Sequence, residues 1–100
     1  MPTELFVLNL PDGFTVQRIL ALLDGCHVTS VVFARTGYGL LASIVTASEE
    51  DASQAETILD ALGLPAPLGI VRGDSLIGQK LGEMVVHIIG AGSETYMGAA

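Results

Sequence analysis

Two apolar, β-branched runs, Val28–Ala34 and Leu40–Thr46, lie either side of a turn, Thr36-Gly37-Tyr38-Gly39. Runs of this kind around a short glycine-containing loop define a β-hairpin. A strand and a helix precede it, and a helix and a strand follow it. Leu5–Leu10 is a short apolar run stopped by Pro11-Asp12-Gly13, which reads as a strand. It is apolar at almost every position, so it is expected to be covered on both faces or to lie at an interface. Val16, Ile19, Leu20 and Leu23 then recur at helical spacing, with Thr15 placed to cap and Gly25 placed to terminate.

After the hairpin, Ser48-Glu49-Glu50-Asp51 opens a second helix. Serine caps it, acids suit its positive end, and Asp51 stands where a capping box places Glu or Gln. The apolar stripe is Ala52, Ala55, Ile58, Leu59 and Leu62. Gly63 closes the helix, and Pro65 and Pro67 prevent continuation. The acids on this helix read as a solvated face. Leu68–Val71 reads as a strand. Leu76–Leu81, broken by Gly78, has no clear periodicity. Met84–Ile89 reads as a further strand, and residues 90–100 as a glycine-containing tail.

This order predicts an α+β fold: one ferredoxin-like βαββαβ domain over residues 1–100 with a C-terminal extension. Both helices are expected on one face of an antiparallel sheet. The chain is 50% apolar, more than 100 residues readily hide. The other face is therefore expected to be buried by another subunit, making a homo-oligomer.

Charge narrows the function classes. Four Lys and Arg against eleven Asp and Glu give a net charge of -7. Phosphate neutralisation needs clustered bases, so a nucleic-acid partner is not expected. The same deficit argues against a polybasic membrane contact, and no run approaches the roughly 20 apolar residues of a spanning helix. A lone cysteine and no recognised export signal fit a cytoplasmic location.

No cluster has the spacing of a metal module. Cys26 and His27 are adjacent, and His87 stands apart in an apolar run, so no metal is expected. Gly73–Lys80 superficially resembles a phosphate loop but lacks its adjacent Gly-Lys-Ser/Thr. Gly37-Tyr38-Gly39 joins two strands, unlike a dinucleotide fingerprint. Arg35, Arg72 and Lys80 are three of the four bases, all at expected strand ends or loops. With backbone N–H groups from Thr36, Gly37, Tyr38 and Gly39, they are the candidate site for a small anion.

The stretch Leu22-Leu23-Asp24-Gly25-Cys26-His27-Val28-Thr29-Ser30-Val31-Val32-Phe33-Ala34-Arg35-Thr36-Gly37-Tyr38-Gly39 resembles the nitrogen-regulatory PII family and its PII-like relatives. Glu4–Leu10 and Leu40–Leu62 fit the remaining element order, so the likeness covers about two thirds of the chain. The resemblance implies a trimer of βαββαβ subunits, small effectors such as adenine nucleotides in clefts between them, and a T-loop that touches a regulated protein partner. Gly37, Tyr38 and Gly39 would lie at the T-loop base, with Arg35 just before it. Two features depart from the family: almost no T-loop lies between Gly39 and Leu40, and Leu64-Pro65-Ala66-Pro67 replaces the glycine-and-lysine B-loop.

The first expectation is a non-enzymatic, oligomeric, PII-like effector-binding protein. The alternatives are a small enzyme using Cys26 or His87 in an intersubunit cleft, and a structural assembly module.

Overall fold

A computed structural model describes residues 2–11, 13–36, 39–64, 68–89 and 95–97. At 35, 36, 39, 84–89 and 95–97 the description is of the backbone alone. The elements are β1 (Thr3–Leu10), α1 (Val16–Leu22), β2 (Val28–Thr36), β3 (Gly39–Thr46), α2 (Glu49–Asp60), β4 (Gly69–Arg72), α3 (Leu76–Ile89) and β5 (Thr95–Met97). The strands form one antiparallel sheet in the order β4-β1-β3-β2-β5. β1 and β2 therefore run the same way with β3 between them, and β3 and β4 run the same way with β1 between them.

The first two helices begin as their sequences require. The Thr15 hydroxyl accepts from the Arg18 amide at 3.1 Å, and the Ser48 hydroxyl from the Asp51 amide at 3.2 Å. Gly25 takes φ +96 after α1, a backbone conformation that costs an L side chain strain. Val16 and Ile19 of α1 and Ala52, Ala55 and Leu59 of α2 bury against Leu5, Val7, Val31, Phe33, Ala42 and Ile44 of the sheet. This is the main core.

Strand alternation sends Phe6, Ala34 and Leu41 to the opposite face. There they form a second buried cluster with Leu8, Val32, Val71 and Leu81 of α3. The expected strand over Met84–Ile89 and the expected open face are both corrected here. Leu76–Ile89 is one helix, and α3 lies against β1, β2 and β4. The apolar surplus of the sheet is absorbed within the chain, at least in part, instead of requiring a second subunit.

Why a helix forms there is visible at its start. The Ser75 hydroxyl accepts from the Gly78 amide at 2.9 Å and donates to the Arg72 carbonyl at 2.7 Å. Ser75 is thus a cap placed by the turn that ends β4. Gly78, which punctuates the sequence like a breaker, sits where a Cβ would collide with the Arg72 carbonyl oxygen. Its lack of a side chain lets the first turn of α3 tuck under β4. Thr95–Met97, within the stretch expected as tail, forms β5 against β2.

Candidate functional site

The hairpin end is shorter than expected. Thr36 pairs with Gly39 and Arg35 with Leu40, so only residues 37 and 38 separate the strands. Arg35 and Thr36 belong to β2, and Gly39 opens β3. Gly37 and Tyr38 lie outside the described residues. The adjoining end of β1 is irregular: its register shifts between Val7 and Leu10, and Asn9 takes φ 66. Asparagine tolerates this left-handed conformation better than most residues. Leu10 then pairs with Leu40, which itself pairs with Arg35. The bulge therefore sits beside the hairpin end.

Arg72 lies elsewhere. It pairs with Leu5, Leu5 with Ile44 and Ile44 with Val31, four positions before Arg35 on β2. By strand geometry the two backbones stand about 13 Å apart along the strands and about 14 Å across them. The Arg72 guanidinium is also already engaged. Nη2 donates to Ser53 Oγ at 3.1 Å and lies 3.3 Å from Glu56 Oε1. Nη1 lies 2.9 Å from Glu49 Oε1, as an ion pair without hydrogen-bond alignment. Glu49, Ser53 and Glu56 form one stripe of α2, so part of its acidic face is not simply solvated. Lys80 is exposed on α3. Within one chain, Arg72 does not join Arg35.

A second place forms where the stretch between α1 and β2 meets the end of β3 and the start of α2. Asp24, Gly25, Cys26, His27, Val28, Thr29 and Ala47 line a cavity of about 460 Å³. His27 Nδ1 lies 3.3 Å from Asp51 Oδ2, and the Ser48 hydroxyl donates to the same oxygen at 2.8 Å. The Ser48 hydrogen bond, aided by the His27 backbone and ring, holds the Asp51 carboxyl below its ordinary range against an opposing effect of burial. Asp51 thus bonds the cap hydroxyl and a histidine 24 residues away, a pairing that no local signal could have revealed. Cys26 is buried, and burial first and the Asp51 charge second push its thiol up. A thiol so placed is the poorer nucleophile at neutral pH. His87, expected in a strand, lies in α3.

Among the described residues no group of three or more His, Cys, Asp or Glu is placed to hold a metal, and no helix is long and apolar enough to cross a membrane. No family model, curated protein or solved structure matches the chain.

Proposed function

We propose that this chain is a ferredoxin-like, PII-like regulatory domain of the cytoplasm that assembles into a homo-oligomer and binds a small anionic effector without chemistry. The observation that carries this reading is the strand arrangement β4-β1-β3-β2, with α1 and α2 packed on one face. An antiparallel sheet with two helices on one face is compatible with a split βαβ domain. The effector site is assigned to the hairpin end, with Arg35 as principal cation and the backbone of Thr36, Gly37, Tyr38 and Gly39 supplying donors. An adenine nucleotide is the candidate effector.

The basic side chains support that choice. Arg72 is engaged by two glutamates, and Arg18 stacks over the Phe14 ring at 4.4 Å. Lys80 is exposed on α3, and Arg35 is chosen for its place in the sequence beside the turn. A guanidinium can bind phosphate or carboxylate through two parallel hydrogen bonds. The trimer number is taken from the PII resemblance. Since α3 covers one sheet face, subunits would meet elsewhere, and the exposed Leu76 and Ile77 are the apolar residues for such contact. With two residues between β2 and β3, a regulated partner protein would meet the sheet end itself instead of a long loop.

The test is calorimetric titration of the intact chain with adenine nucleotides, bicarbonate and simple carboxylates. Binding tighter than millimolar, lost on Arg35→Ala, supports the reading. No binding by any of them removes it and leaves a structural assembly module as the better account.

A further inference from the structure

Independently of the hairpin end, the half-open cavity beside His27 combines a concave volume with an oriented polar group. Its volume of about 460 Å³ is that of a small-molecule site. Gly25, Cys26, Val28 and Ala47 give it walls of carbon and sulfur. Thr29 is already committed, its hydroxyl donating to the Val45 carbonyl at 3.2 Å.

His27 is the group with unused capacity. Its side chain is 80% exposed, and Asp51 holds it from behind at Nδ1. An ionised carboxylate only accepts, so the Nδ1 atom that faces it carries the proton. In the neutral ring Nε2 is then a lone-pair acceptor. Ser48 fixes Asp51 through its hydroxyl and so fixes the ring's partner as well. Asp24 is the one acidic residue of the lining, which holds no Lys or Arg. The field and the acceptor both favour a donor that carries positive charge.

We propose that this cavity binds a small primary ammonium compound with a short apolar body. The ammonium donates to His27 Nε2 within the field of Asp24 and Asp51. The hydrocarbon lies against Val28, Ala47 and Cys26.

Titration of the full-length protein with n-butylammonium, n-butanol and n-butyrate, followed by amide NMR, tests this. The expected result is saturable shifts at Gly25, His27, Val28 and Ala47 with n-butylammonium below about 10 mM. Binding of n-butanol, whose hydroxyl can donate the same hydrogen bond without a charge, should be at least about fivefold weaker, the scale that separates a charge-assisted hydrogen bond from a neutral one, and n-butyrate should not bind. His27→Ala and Asp51→Asn should each weaken n-butylammonium about fivefold or more. Ala47→Phe, at an exposed position, should block the cavity while leaving amide shifts remote from it unchanged. The proposal is overturned by equal binding of all three probes, by His27→Ala binding as well as the parent, or by no saturable shift.

Discussion

The backbone of Gly78 passes directly beneath the carbonyl oxygen of Arg72, so close that a Cβ on Gly78 would overlap it and also lie 2.8 Å from the Gly73 Cα. Both neighbours are main chain and cannot rotate away. Gly78→Ala gains up to about 1 kcal/mol of helix propensity but forces the α3 start off β4. Overpacking costs roughly 1–3 kcal/mol and sometimes more. A net loss of stability in urea unfolding is expected. Gly82→Ala is the control. A Cβ there would meet Phe6 Cζ at 3.6 Å, an ordinary contact, so this variant should be neutral or more stable.

Phe6 is fully buried between the sheet and α3. Phe6→Ala should cost roughly 3–5 kcal/mol, a large part of the stability of about 5–15 kcal/mol usual for a domain. The lowered thermal midpoint is the measurement. A loss under about 1 kcal/mol would mean that α3 does not close this face in solution.

Asp51 supplies a pH dependence with a defined sign. Its folded-state pKa is lowered, chiefly by the Ser48 hydroxyl. Its contribution is therefore fully present above the unfolded value of about 3.9 and is lost as pH falls through the lower folded value. Carboxyl NMR titration should show Asp51 below the other aspartates. Ser48→Ala should return it toward the ordinary range and remove its part of the acid-side stability loss.

Arg72 and Arg35 should separate cleanly. Arg72→Ala removes partly exposed ion pairs with Glu49 and Glu56, each worth no more than about 1 kcal/mol. Effector affinity should be unchanged. Arg35→Ala should weaken anion binding by roughly 1–3 kcal/mol. Equal effects of the two changes on binding would show that the anion does not sit at the hairpin end.

Light scattering should give a multiple of the 10.4 kDa chain mass. Leu76 and Ile77 are 81% and 64% exposed. If they form the contact, replacing both with Gln should yield monomers without lowering the unfolding midpoint of the monomer. A parent protein that is already monomeric at micromolar concentration ends the oligomer reading.

By itself the sequence determined β1, the hairpin, α1 and α2, because each carries a complete local signal. Thr15 and Ser48 cap, the apolar stripes repeat at helical spacing, and β-branched residues fill the strands. It also placed β4 to within a residue. It could not determine α3. Val85, Val86, Ile88 and Ile89 favour a strand locally, and Gly78 disfavours a helix. What decides is the second apolar face of the sheet, at Phe6, Leu8, Val32, Leu41 and Val71. Period-two alternation announces that such a face exists but not whether a helix or another chain covers it. The candidate sites divide the same way. The hairpin that carries Arg35 was legible because its pairing is local. The partners of Arg72 on α2 and of His27 at Asp51 were not. Those side chains are 16 to 24 positions apart, and only the packing of α2 against the sheet brings them within a few ångströms.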